Sequence, residues 1–287
     1  MTQDAAFVAW VGLSLVPRIG GKLMTRLLDH FNTPVNVLAA TSENLRAVPG
    51  IGLRTIESIQ NVNLDEVATK IETWQKTGIE ILPCYLPEYP VMLKAVHDAP
   101  PLLFKRGSWS NTTTQTVGIV GTREPTPAAS EFAQLLGERL SEAGWAVISG
   151  MALGVDTQAH RGALKKGNTV GVLGCGLNNL YPPENKTLAT QILENGALFS
   201  EVAPEVNPSS SQLVARNRII SGLSQVVILV ESDVDGGAMH TIRFAREQNR
   251  PVFVVDFEAS GNQQLKNEGA GLIEPTPTGI ETFLALF

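Results

Sequence analysis

The sequence predicts an α/β fold: a doubly wound, mostly parallel sheet, preceded by a small all-α domain. Three observations predict it. First, five short and almost wholly apolar runs recur after residue 115: TVGIV (116–120), WAVIS (145–149), TVGVL (169–173), VVILV (226–230) and PVFVV (251–255). Runs that are apolar at every position suit strands covered on both faces, the condition of a parallel sheet. Second, helical stripes separate the runs, as with Phe132, Leu135, Leu136 and Leu140, and such alternation gives a doubly wound architecture. Third, residues 1–75 look all-helical, with apolar residues at helical spacing, as with Leu23, Leu27, Leu28 and Phe31.

In chain order, residues 1–75 form the helical domain. PRIG (17–20) is echoed by PGIG (49–52), each before a helical pattern. The stretch LRAVPGIGLRTIESI has the pattern of a helix-hairpin-helix, a SAM-like element. Gly50 and Gly52 let such a turn approach a DNA backbone, and the next helix offers N–H groups to a phosphate. The earlier copy is degenerate. The alternative is that both hairpins only pack together or dock a partner. Residues 76–115 form an extended connecting segment, with strand signals in GIEILP (78–83) and PPLLFKRG (100–107), and SWSNTTTQ (108–115) reads as a linker. Residues 116–287 form the Rossmann-like domain.

Composition narrows the function. Net charge is −6, which disfavours a general nucleic-acid-binding face. Residues 1–110 balance at 10 basic and 10 acidic, while residues 111–287 hold 12 and 18. A polyanion site must therefore be a local cluster. Cys84 and Cys175 have no metal spacing and form no disulfide framework, which fits a reducing cytoplasm. The apolar stretch AAFVAWVGLSLV is too short to span a bilayer and lacks a basic leader, so neither a signal peptide nor a membrane association is expected.

In doubly wound sheets, ligands sit beyond the carboxyl ends of the strands. After the first strand come Gly121, Thr122 and Arg123. The turn and the helix after it suit an anion, and the guanidinium fork suits phosphate. After the second strand come Ser149 and Gly150, then Gly154, Asp156 and His160; the last two share a helical face, and a structural role is expected of both. After the third come Tyr181, Pro182, Asn185 and Lys186. Arg216, Asn217 and Arg218 precede the fourth strand, and Gly236 and Gly237 follow it. A glycine after a parallel strand is usually only a turn. The convergence of several glycine turns and three arginines on one edge is what points to a ligand.

GTR, SGMALGVDTQAH, LGCGLNNLYPPEN, LFSE and ARNRIISGLS, in that order, closely resemble the DNA-processing protein A (DprA/Smf) family. The resemblance covers essentially the whole chain, including Tyr89–Gly107. It implies a single-stranded DNA-binding protein without catalytic activity or cofactor. Such a protein acts as a homodimer, protects the strand and helps load a RecA-type recombinase, notably in natural transformation. Carried over, the phosphate pocket comprises Gly121, Thr122, Arg123, Ser149, Gly150, Asn185, Lys186, Arg216, Asn217, Arg218, Gly236 and Gly237.

Four departures stand out. Many members have Lys after the Tyr-Pro pair, where this chain has Pro183, and Lys186 is the candidate substitute. The family's S-G-S-L-x-T appears as GGAMHT (236–241), and its Pro-Gly as Asp256-Phe257. The family's common C-terminal winged helix is not expected, because the sequence stops at Phe287. Tyr181 and Phe257 are the candidates for stacking on bases. Two rivals remain. One is a nucleoside-monophosphate hydrolase of the lysine-decarboxylase-like type, which DGGAMHT superficially resembles, though no Glu follows at the required place. The other is a recombinase-docking protein with a vestigial pocket. A dinucleotide-binding dehydrogenase is disfavoured because G-x-G-x-x-G is missing.

Overall fold

The computed structural model describes residues 4–110 and 115–287. The expected linker falls partly on 111–114, outside the described residues. The helical region holds α1 (Ala5–Ser14), α2 (Gly21–Phe31), α3 (Pro34–Leu38), α4 (Ser42–Arg46), α5 (Leu53–Gln60) and α6 (Leu64–Lys76). Local chemistry sets the starts of several helices: Asp4, Thr33, Thr41 and Asn63 each accept a backbone N–H of the first turn. Both hairpin turns share one backbone. Gly50 has φ +92°, and Arg18 takes the equivalent left-handed conformation at φ +73°. The degenerate copy is thus a full hairpin in geometry, with Arg18 in a conformation disfavoured for a side chain that lacks glycine's freedom.

The sheet strands are β1 (Glu80–Pro83), β2 (Leu102–Gly107), β3 (Thr116–Val120), β4 (Ala146–Ser149), β5 (Thr169–Leu173), β6 (Ala197–Ser200), β7 (Val226–Leu229), β8 (Val252–Val255) and β9 (Gly271–Ile273). Their order is β1-β2-β6-β5-β4-β3-β7-β8-β9. β1 and β2 run antiparallel to their neighbours, and the rest are parallel. All five strands read from the sequence are present. β6 and β9 were not foreseen: ALFS is four residues between a helix end and a loop, and GLI is three.

The remaining helices are α7 (Val91–Lys94), α8 (Pro127–Glu142), α9 (Val155–Ala163), α10 (Lys186–Asn195), α11 (Ser210–Leu223), α12 (Ala238–Glu247), α13 (Ser260–Asn267) and α14 (Pro277–Leu284). Apolar clusters lie on both faces of the sheet, as full burial of the strands requires. A third cluster joins α1, α2, α5 and α6 to β1, β2 and β6 through residues such as Leu13, Ile71, Phe104 and Leu198. Trp10 donates its indole N–H to the Pro101 carbonyl at 2.9 Å, and Trp74 donates to Glu205 Oε1 at 2.7 Å. Packing therefore crosses the boundary drawn near residue 75.

The chain winds outward from β3 through β4, β5 and β6, then returns on α11 to place β7 on the other side of β3. Strand order reverses between β3 and β7. Loops leaving these two strands part there and open a crevice.

Candidate nucleic-acid interface

A cavity of about 430 Å³ occupies that crevice. Residues 121–124 after β3 form one wall and residues 232, 233 and 235–238 after β7 the other; Leu213, Arg216, Asn217 and Ile220 of α11 line it between them. A small apolar notch adjoins it, lined by Leu153, Tyr181, Pro182 and Leu213 along with Arg123 and Arg216. The Tyr181–Pro182 peptide is cis. Tyr181 is 38% exposed, so its ring is accessible at the notch.

Arg123 is exposed and lines both cavities. Arg216 lies beneath them at 5% exposure. Its Nη1 donates to the carbonyls of Gly150 and Val172, and its Nε donates to Asn217 Oδ1 at 3.2 Å. A Cβ at Gly150 would stand 2.5 Å from the guanidinium carbon of Arg216, so any side chain there displaces that guanidinium. Asn217 lines the cavity and donates from Nδ2 to the Gly237 carbonyl at 3.3 Å. Gly121, Thr122, Gly236 and Gly237 also lie on its walls.

Several expected ligands stand elsewhere. Arg218 is held by Glu201 at 2.6 Å and by Asp98 at 3.2 Å, and it lines neither cavity. Burial opposes its charge, but the two carboxylates outweigh burial and raise its pKa. The helix turn that aims Arg216 at the crevice carries Arg218 to another side. Ser149 is fully buried and donates to the Ile119 carbonyl at 2.6 Å, stitching β4 to β3. Asn185 is buried and donates to the Met151 carbonyl and to Thr157 Oγ1, both at 2.9 Å. Lys186 is exposed at the start of α10 and lines neither cavity. Phe257 packs edge-on against Phe132 at 6.2 Å and lines neither cavity. Gly50 and Gly52 are exposed on the helical region, where Arg26 Nη1 donates to the Pro49 carbonyl at 3.2 Å.

Internal carboxylates occupy the backbone donors that the sequence reading offered to a phosphate. Glu231 follows β7 and is 8% exposed. It accepts from the Thr126 N–H at 2.7 Å and the Thr126 hydroxyl at 2.9 Å, at the N-terminus of α8. That end of the helix already has its anion. Asp156 Oδ2 likewise accepts from the N–H groups of Gly150 at 3.0 Å and Ala152 at 3.2 Å. Burial raises the pKa of Asp156, and the Arg216 charge opposes the rise. Between them Met151 takes φ +62°, a conformation held by Asp156 on the N–H side and Asn185 on the carbonyl side. An anion entering the crevice therefore meets the guanidinium groups of Arg123 and Arg216 and, on the opposite wall, the start of α12, whose first residues have no side-chain cap.

The sequence reading gave Asp156 a structural role and missed the other carboxylates. Glu124, Asp156, Asp233 and Asp235 all line the cavity that Arg123 and Arg216 share. The available signal was Glu231 directly after an apolar strand, followed by two aspartates before Gly-Gly.

His160 is fully buried on α9, with Nδ1 2.8 Å from Thr169 Oγ1. The Thr169 hydroxyl donates to the Val147 carbonyl at 2.6 Å, so it accepts from His160 Nδ1–H. Nε2 is then an unprotonated nitrogen, and it has no hydrogen-bond partner among the described residues. Burial and the nearby Arg216 charge lower its pKa to about 3.

Residues 80–283 match the family model described as DNA recombination-mediator protein A, and residues 12–61 match a SAM-like helix-hairpin-helix tandem. The Smf protein of Synechocystis is 36% identical over 284 residues, which span 95% of this chain and 70% of that one. The DNA processing protein DprA of Bacillus subtilis is 36% identical over 210 residues, 71% of each chain. The crystal structure of DNA processing protein A from Streptococcus pneumoniae superposes with a TM-score of 0.81 at 25% identity, covering 98% of both chains. A Helicobacter pylori DNA processing protein A, whose structure is described for its single-stranded DNA binding mode, superposes with a TM-score of 0.65 at 30% identity, over 73% of this chain and 97% of that one.

Proposed function

The chain belongs to the DNA recombination-mediator protein A family, and from that premise we propose that it binds single-stranded DNA without sequence selection by backbone contacts, protects it and helps load a RecA-type recombinase. One observation carries the reading. Arg123, exposed, and Arg216, buried below it, face one cavity at the reversal of strand order. A phosphate of the strand sits against these two guanidinium groups, and Tyr181 at the notch provides a face for an adjacent base. The activity is binding in the cytoplasm, without catalysis. Two copies in a homodimer present two such cavities to one strand, and linkage then multiplies the affinity.

The helical region supplies a second contact. The exposed Pro49–Gly52 turn meets a phosphate through the start of α5, whose cap residue Gly52 offers no competing side chain. The three segments 1–75, 76–115 and 116–287 serve as hairpin module, connector and DNA-binding core.

Fluorescence anisotropy of a labelled oligo(dT) tests the reading. Binding should weaken as salt rises, with a log–log slope of about 0.7 per phosphate contact. No binding at low salt overturns it and favours the docking reading. Release of free base from nucleoside monophosphates, measured directly, favours the hydrolase.

A further inference from the structure

The cavity is too acidic to be explained as a phosphate site alone. Its two arginines share the walls with Glu124, Asp156, Asp233 and Asp235. A volume of about 430 Å³ also falls within the ~300–1,000 Å³ of sites that enclose whole small ligands. In the reading above a strand phosphate rests against Arg123 and Arg216, and like charge disfavours a phosphate beside Asp233 and Asp235.

The four carboxylates differ in availability. Asp156 is committed to the Gly150 and Ala152 N–H groups. Asp233 and Asp235 lie together on the turn after β7, where the Gly236 N–H donates to the Asp233 carbonyl at 2.9 Å. Both are exposed. Ser260 Oγ donates to Asp233 Oδ1 at 3.0 Å, which fixes that side chain and leaves its second oxygen open. Asp235 has no side-chain hydrogen bond or ion pair among the described residues. Carboxylate oxygens only accept hydrogen bonds, so this wall selects for donors.

Resting on the single-stranded DNA reading above, we propose that Asp233 and Asp235 make the cavity selective for bases with an exocyclic amino group over thymine. Cytosine and adenine each present an amino donor, and guanine presents an amino group beside a ring N–H. Thymine presents one ring N–H between two carbonyl oxygens, which a carboxylate repels. Carboxylates are the side chains that accept from the cytosine amino group in base-edge recognition. The selectivity is for a base class and not for a sequence, since one cavity reads one base.

The test compares oligo(dC) with oligo(dT) of equal length, titrated against the full chain near neutral pH at one salt concentration. Oligo(dC) is expected to bind about 5-fold tighter, the lower end of the range for a base-edge contact. Asp233→Asn with Asp235→Asn should abolish the preference, mainly by strengthening oligo(dT) binding, because carboxamides both donate and accept. Equal affinity of the parent for the two strands overturns the proposal and leaves the DNA-binding reading intact. So does a preference for oligo(dC) that survives in the double variant. Failure to bind either strand at low salt overturns both.

Discussion

Protonation of His160 links the crevice to the stability of the whole domain. Its Nδ1–H is used by Thr169, and its Nε2 faces no acceptor among the described residues. A second proton would therefore be buried without a partner, close enough to Arg216 to be repelled by it. The folded pKa is about 3 against an ordinary value of 6.5. Between these values the unfolded chain binds one proton that the folded chain refuses, so stability falls as pH falls below about 6.5. Integrating from about pH 7.5 to pH 5 gives a loss of about 2 kcal/mol from this residue alone. Urea unfolding at both pH values checks it, with His160→Asn as reference. That variant keeps a donor near Nδ1 and does not titrate. The parent should lose about 2 kcal/mol more than the variant over this interval. Equal losses in the two proteins would falsify the assignment of His160 as a buried neutral group.

Two further outcomes follow from the site geometry. Gly150→Ala places a methyl against the Arg216 guanidinium; it should cost about 1–3 kcal/mol of stability and, by displacing Arg216, weaken oligo(dT) binding about tenfold at fixed salt. Arg218→Ala breaks the contacts to Glu201 and Asp98 and should cost about 2 kcal/mol in urea unfolding, less than a fully buried pair because Asp98 is partly exposed, yet leave the DNA affinity of the folded protein unchanged. Loss of affinity in that variant would return Arg218 to the site.

The strands around the crevice were legible because full burial leaves a plain mark, an unbroken apolar run. β9 left none, being three residues with Leu272 exposed, whereas ALFS of β6 is as short, apolar and buried as AVIS of β4 and carried the same mark unread. Within the site, the loops were legible because the fold dictates where strands end. Side-chain direction was not. Arg216 and Arg218 are two residues apart, and the helix sends one beneath the cavity and the other to Glu201 and Asp98. Asn185 and Ser149 look like ligands in sequence because they are polar and follow strands, but buried carbonyls need donors and claim them first. The same demand brought Glu231 to the start of α8, where a phosphate was expected.

The central claim is that a strand phosphate rests against Arg123. The salt dependence of oligo(dT) binding by Arg123→Ala measures it most directly, because Arg123 is exposed and forms no salt bridge among the described residues, so its removal leaves the fold in place. The log–log slope should fall by about 0.7 relative to the parent, the share of one phosphate contact on a single strand. An unchanged slope, with affinity equal to that of the parent, would place the DNA elsewhere on the molecule.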